Sequence, residues 1–287
     1  MAVGTRTVGA VAPRTPVAAG SAGALRVIKT IWLREVLVYS RDRLRITSAL
    51  MWPILMLVIF GEGLGNTIGA VSEGINYRQF IFPGMVAMTV LTTSVFSGTS
   101  IIWDREFGFL REILVAPISR TAIMLGKLFG GATIAMSQGV VMFIFAPLLG
   151  VSLPPLVLIQ LVAVMWLMAL TLTALGIAMA SRAKSVEGFQ MVSQLVIMPS
   201  MFLSGIFFPV NNVPTWMEVL VKLNPVTYAV APIRAIALDE ELQGATNTAV
   251  NVELFGHVLT TVESLAMLAG FGVLILAFAI HSFRRAE

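Results

Sequence analysis

An all-α integral membrane protein with six transmembrane helices is the fold class this sequence predicts, and three observations predict it. Hydrophobic residues make up 57% of the chain, charged residues only 12%, and the mean hydropathy is +0.89. Soluble domains run nearer ~45–50% and ~25%. The apolar residues gather in six runs near 46–64, 81–103, 122–149, 156–180, 189–208 and 256–281, each close to or above the ~20 residues that cross a ~30 Å hydrocarbon core. Lys and Arg, finally, sit almost wholly on alternate connections between those runs.

The same charges bound the partners. The isoelectric point near 9.8 could suggest nucleic acid, but eight of the 19 Lys and Arg precede the first apolar run: Arg6, Arg14, Arg26, Lys29, Arg34, Arg41, Arg43 and Arg45. That placement is a topology signal toward anionic membrane lipid and needs no nucleic-acid partner. There is no cysteine, which excludes disulfides and thiolate metal sites. The two histidines, His257 and His281, lie at span ends, so no metal centre is expected.

Residues 1–22 are rich in Ala, Gly, Thr, Val and Pro, with Arg6 and Arg14 but no acid. They lack a continuous apolar core with a cleavage-type end, and read as a disordered cytoplasmic tail in preference to a secretory signal. Residues 23–45 form the first ordered element. Ile28, Ile31, Trp32, Val36 and Tyr39 recur at helical spacing, with Arg26, Lys29, Arg34 and Arg41 on much of the other side. Either an interfacial helix with its aromatics at headgroup level or a helix packed on protein accounts for this pattern.

The six spans then follow in residues 46–287. The third run exceeds the minimum, so a tilt or a kink before Pro147 is expected. With the N-terminus inside, the cytoplasmic side holds fifteen Lys and Arg, or sixteen if Lys127 snorkels to the near surface; the outside holds Arg78, Lys222 and Arg234. Both termini are therefore expected in the cytoplasm.

Two connections are more than loops. Wound as a helix, 104–116 places Asp104, Arg105, Arg111 and Glu112 on one face and Phe107, Leu110, Ile113 and Leu114 on the other, with Glu106 interrupting. Gly108 weakens its middle and Pro117 discourages helix at Ala116. Such a stub either offers charge to a cytoplasmic partner or is a solvated connector. Outside, 209–243 reads as two short, mostly apolar helices broken at Asn224-Pro225, the first entered through Pro214. The pair is either a hairpin dipping into the outer leaflet or a cap on the bundle.

Polar side chains within spans usually face protein or water. Gln138, Gln190, Ser193, Gln194 and Thr171 could line a translocation path or bridge helices by hydrogen bonds. Glu263 could meet a cationic cargo or pair with Arg234, the latter being preferred. Gly126-x-x-x-Gly130 permits close helix approach but does not name its partner.

These blocks together resemble a family. Asp104-Arg105-Glu106-Phe107-Gly108 through Pro117 resembles the segment between spans two and three of type-2 ABC exporter permeases. The run Leu203-Ser204-Gly205-Ile206-Phe207-Phe208-Pro209, then Pro214-x-Trp216, then Asn224-Pro225-Val226-Thr227-Tyr228 and Arg234, is similar to that family's block joining span five to its outer re-entrant helices. Arg34-Glu35 and Arg41-Asp42 fit as well, and the match spans roughly residues 25–285. Among subgroups the chain looks most like the daunorubicin-resistance-like permeases. It departs from many relatives at Ala231-Pro232, where they carry Asp, which puts any pairing of such an acid with Arg234 in doubt.

The resemblance implies a permease subunit of an ATP-driven exporter, and names for its parts. Residues 23–45 become the elbow helix and 104–116 the coupling helix, with Asp104, Arg105, Glu106, Arg111 and Glu112 as ATPase contacts. Trp216, Tyr228 and Arg234 become an outer gate. It also implies two partners: an ATP-binding cassette subunit carrying the ATP and magnesium, and a second permease copy, identical or paralogous. The chain is not itself expected to be an enzyme. Gly126-Lys127 is followed by Leu128, and no Gly-x-x-x-x-Gly-Lys-Ser/Thr occurs. Intramembrane proteolysis lacks its residues too: no span holds an Asp away from its end, and no His-Glu-x-x-His occurs. A non-transporting anchor or channel subunit is the other reading. The expected cargo is an amphiphilic drug, a lipid or a lipid-linked glycan. The 9% aromatic content favours the first two, and the expected location is the inner cell membrane.

Overall fold

Where no water is at hand, the amides of a long apolar run can satisfy one another only as helix, and all six runs are helical in the computed structural model of the chain. It describes residues 21–65, 69–72, 75–107, 119–210, 213–238, 253–254 and 257–285. The helices are α1 (Ser21–Arg41), α2 (Arg43–Leu57), α3 (Tyr77–Phe96), α4 (Thr99–Glu106), α5 (Arg120–Met142), α6 (Pro155–Arg182), α7 (Val186–Leu203), α8 (Thr215–Leu223), α9 (Thr227–Ala237) and α10 (Thr261–Arg285). Six stretches among the described residues are long and apolar enough to cross a membrane: Arg43–Gly63, Tyr77–Glu106, Arg120–Phe145, Pro155–Arg182, Val186–Leu203 and Thr261–Phe283. The pair α8 and α9 is bent by 84° at its break. Two antiparallel ribbons, Ala70–Ser72 with Ile75–Asn76 and Glu253–Leu254 with His257–Val258, lie on connections.

Several boundaries move from their expected places for local reasons. Span three leaves α-helix at Met142 and continues as two 3-10 turns, Phe143–Phe145 and Pro147–Leu149, ended by Gly150 at φ 72°. Span five stops at Leu203, because Gly205 turns the chain at φ 82°. The last helix starts at Thr261, not near 256. Thr260 and Glu263 bond reciprocally: Thr260 N and Oγ1 donate to Glu263 Oε2 at 2.8 and 3.0 Å, and Glu263 N donates to Thr260 Oγ1 at 3.3 Å. This is a capping box. Its acid also lies 3.2 Å from His257 Nε2, so Glu263 caps a helix and does not pair with Arg234.

The second span is the axis of the bundle: 83% of its apolar window is buried, against 17% in the first and last spans and 22% in the fifth. It is broken at Ser97–Gly98, between α3 and α4, where it crosses α6. A Cβ on Gly98 would stand 2.5 Å from the Gly176 carbonyl oxygen, and one on Gly176 only 2.4 Å from that of Val95. The crossing therefore admits glycine alone on both helices.

Helix α1 is not a free interfacial helix. It runs beside α5 in the same direction, and the Gly126-x-x-x-Gly130 groove holds it. A Cβ on Gly126 would meet Ile31 Cβ at 2.7 Å, and one on Gly130 would meet Glu35 Cβ at 2.7 Å. The aromatics expected at headgroup level turn onto α5 instead. Trp32 Nε1 donates to Thr133 Oγ1 at 2.9 Å, and Tyr39 bonds to Gln138. One residue, Asp42, separates α1 from α2 and caps the latter by accepting from Arg45 N at 3.0 Å. Helix α1 and the first span thus meet at a single residue.

Candidate functional site

Four charged side chains meet where α1, α4 and α5 converge. Arg34 and Glu35 come from α1, Asp104 from the last turns of α4 and Lys127 from the second turn of α5. Arg34 grips Asp104 with both guanidinium nitrogens, Nη2 to Oδ1 at 2.7 Å and Nη1 to Oδ2 at 3.1 Å. Lys127 Nζ reaches Asp104 Oδ2 at 2.6 Å, Glu35 Oε1 at 3.0 Å and Ser100 Oγ at 3.1 Å. The quartet is neutral, and the Lys127 side chain is only 2% exposed. The hydrogen bonds to Asp104 hold the Arg34 guanidinium above its ordinary pKa, outweighing partial burial. Burial likewise pushes the Tyr39 phenol up. One residue on, Arg105 donates to the carbonyls of Ala183 at 2.9 Å and Ser181 at 3.3 Å. There it satisfies orphan acceptors at the end of α6.

The five charges expected on an outward stub therefore divide. Asp104 and Arg105 turn into the bundle, Glu106 is exposed, and Arg111 and Glu112 lie outside the described residues. Lys127 does not snorkel; it is buried against two acids. A lone cation inside an apolar run signals a carboxylate partner, but that rule does not say which acid; here Glu35 and Asp104 supply it.

Above the quartet a cleft of about 680 Å3 opens between α1, α2, α3, α4, α5 and α7. Its floor is charged: Arg34, Glu35, Asp104, Lys127 and Arg45 all line it. Its walls are apolar, with Trp52, Met88, Phe96, Ile134, Met198 and Met201. The Arg45 guanidinium lies 5.6 Å from the centre of the Tyr39 ring and 5.5 Å from that of Trp103. Such a cleft can hold a molecule with a polar head and an apolar body.

The expected path residues are not brought together. Gln194 lines the cleft, whereas Gln190 is exposed elsewhere on α7. Gln138 bridges helices, accepting from Thr93 Oγ1 at 2.6 Å and donating to Tyr39. Thr171 is buried, donates to the Leu167 carbonyl at 3.0 Å and faces Gly272. Ser193 is buried, its hydroxyl without a hydrogen-bond partner among the described residues.

The three residues of the expected outer gate also separate. Trp216 is 68% exposed on α8. Tyr228 is fully buried, stacked on Phe271 at 5.7 Å, with its hydroxyl donating to the Lys222 carbonyl at 2.8 Å. Arg234 is buried over the Phe80 ring at 3.8 Å and donates to the carbonyls of Gly205 at 2.7 Å, Phe80 at 3.4 Å and Ile206 at 3.5 Å. With Ala231-Pro232 in place of an acid, backbone acceptors satisfy this arginine. The bend itself is built by Asn224, whose Nδ2 donates to the Ser200 carbonyl at 2.8 Å while its Oδ1 accepts from Val226 N at 3.1 Å.

The model of the ABC-2 type transporter family matches residues 26–238. The chain is 31% identical over 197 residues to the Cyanophora paradoxa protein ycf38, named as a transport permease, covering 68% of each. It is 27% identical over 213 residues to the inner membrane transport permease YadH of Escherichia coli strain K12, 72% of this chain and 81% of that one. It is 31% identical over 215 residues to Nodulation protein J of Rhizobium meliloti, 74% of this chain and 81% of that one.

Proposed function

The chain belongs to the ABC-2 type transporter family and is a membrane-spanning transporter subunit, and on that premise we propose that it exports amphiphilic molecules, driven by a separate ATP-binding subunit. One observation carries this reading: the segment that begins at Asp104 is tied at its root to three other helices. Asp104 binds α1 through Arg34 and α5 through Lys127, and Arg105 binds the end of α6. A force applied to 104–116 by a partner is delivered at once to the elbow, the third span and the fourth. Those helices include two walls of the cleft, so the same force reshapes it. Glu106, Arg111 and Glu112 are the charges we assign to the partner itself. ATP and magnesium belong on that partner, since this chain has no phosphate-binding loop of the Gly-Lys-Ser/Thr type.

Sidedness follows from charge. Among described residues Arg105, Arg182 and Lys184 lie at the C-terminal ends of the second and fourth spans and Arg120 at the start of the third, toward one end of the bundle, while Arg78 and Lys222 lie toward the other. By the positive-inside rule the first end is cytoplasmic. The cleft then opens from the cytoplasmic half, and α8 and α9 stand outside. The apolar faces of α2, α7 and α8, with Trp52, Leu195 and Trp216 exposed, border the cleft and the outer end. They suit a second permease copy, with lipid on the remainder. The blocks at 203–209 and 224–234 favour a place beside the daunorubicin-resistance-like permeases.

Reconstitution tests this reading. The chain and its ATP-binding subunit, purified as a complex in liposomes, are expected to move a fluorescent amphiphile only with hydrolysable ATP. ATP-independent leakage of the same amphiphile, with no ATPase in the complex, would instead make the chain a channel or an anchor.

A further inference from the structure

We infer that Arg45 is the headgroup-recognition residue of the cleft, and that the cargo class is an amphiphile with a phosphate-type anionic head. This deepens the proposed function and rests on the cleft being where cargo binds. Five charged side chains line the cleft, and four of them cancel: Arg34 and Lys127 are held by Asp104 and Glu35 at 2.6–3.0 Å. The fifth, Arg45, has no carboxylate partner and no hydrogen-bond acceptor for its guanidinium among the described residues. What it has is a pair of rings, Tyr39 and Trp103, with its Cζ 5.6 and 5.5 Å from their centres. Aromatic faces fix a guanidinium in place yet leave its N–H edges unbonded. That fork matches the oxygens of a phosphate or a carboxylate, and its hydrogen bonds to such an anion are charge-assisted.

The position is as telling as the charge. Arg45 is half-buried in the first turn of α2, at the floor of the cleft, below Trp52 and Pro53 of the same helix. An anion seated on it leaves an attached chain beside Met88, Ile134 and Met201. With one uncancelled positive charge on the floor, a cationic amphiphile is disfavoured by the same geometry. This narrows the cargo away from amine-bearing drugs and toward acidic lipids or lipid phosphates.

The test uses the full chain in nanodiscs of neutral lipid, reading Trp fluorescence against empty discs, with Trp52→Phe as the control that locates the signal. Four probes are titrated: decyl phosphate, decyl glucoside, decyltrimethylammonium and inorganic phosphate. Decyl phosphate is expected to bind about tenfold more tightly than decyl glucoside, the gain of a charge-assisted contact, and decyltrimethylammonium more weakly than either. Arg45→Gln should bring decyl phosphate down to the glucoside value, while Arg45→Lys keeps part of the preference. Retained glucoside binding shows that the Arg45→Gln cleft is intact; if it is lost, Arg45→Lys alone decides. Unchanged preference in Arg45→Gln, or none in a folded Arg45→Lys, overturns the assignment and leaves amphiphile binding standing. Inorganic phosphate binding as tightly as decyl phosphate overturns the amphiphile in favour of a free-anion site. If no probe perturbs the wild type, the cleft is not a cargo site, and the proposed function loses its binding step as well.

Discussion

The Lys127 ammonium lies 2.6 Å from the Asp104 carboxylate, a cation of the third span neutralised by an acid at the end of the second. Both side chains are under a tenth exposed. Removing Lys127 leaves two acids, Asp104 and Glu35, sharing Arg34 as their one cation, and the net buried charge costs about 3–5 kcal/mol. Lys127→Met is therefore expected to destabilise the chain by that amount, and Lys127→Met with Asp104→Leu by distinctly less than the sum of the two. Arg34, whose side chain is 35% exposed, should cost only about 1 kcal/mol when cut to Ala. Unfolding followed by Trp fluorescence in detergent checks the ranking; equal losses for Arg34→Ala and Lys127→Met would contradict it.

The seat of α1 on the third span is open to direct chemical test, because the chain has no cysteine of its own. A Cβ at Gly126 would stand 2.7 Å from Ile31 Cβ, well inside the ~3.8 Å usual in a disulfide, so the two helices must part by about 1 Å to form one. Ile31→Cys with Gly126→Cys should therefore cross-link under mild oxidation. A helix lying flat on the lipid surface, away from α5, would leave the pair reduced. Gly130→Leu should weaken the same seat, expose Trp32 and shift its emission to the red.

The two outer aromatics should behave differently despite similar chemistry. Tyr228→Ala removes a fully buried, stacked ring and is expected to cost about 3–5 kcal/mol, so expression and melting temperature fall together. Trp216→Ala removes a ring that is 68% exposed and should leave the melting temperature of the single chain nearly unchanged. If Trp216 meets a second copy, that variant lowers the dimer fraction in cross-linking. A dimer fraction equal to wild type would assign the ring to lipid.

Topology is tested separately from packing. A cysteine placed at Thr246 should react with a membrane-impermeant maleimide added to intact cells, and one at Arg120 only after permeabilisation. The reverse pattern would invert the assignment of sides.

The six spans and the bend at Asn224-Pro225 were legible because each depends on neighbours in sequence. Apolar length and a proline act within a turn or two, whereas the Thr260-x-x-Glu263 box that starts the last helix went unread. The quartet was not, because its members are up to 93 residues apart and any of several acids could have met Lys127. Gly126 and Gly130 announced a close approach without naming α1 as the visitor. Asp104 and Arg105 looked like surface charge on a short amphipathic stub; only the crossing of the second span with the fourth turns them inward. Tyr228 and Trp216 carry the same kind of signal in one hairpin, and tertiary contact alone separates anchor from exposed ring.

The quartet as a mechanical link between a partner's ATPase cycle and the cleft is tested by ATP hydrolysis and amphiphile transport measured together in proteoliposomes, for wild type and Lys127→Met complexes of equal subunit content. If Lys127 ties the 104–116 segment to the third span, the variant should hydrolyse ATP at close to the wild-type rate while moving at least about tenfold less amphiphile per ATP, the scale of losing one buried charged contact. A stably assembled Lys127→Met complex that transports as much per ATP as wild type would show that the force reaches the cleft by some other route.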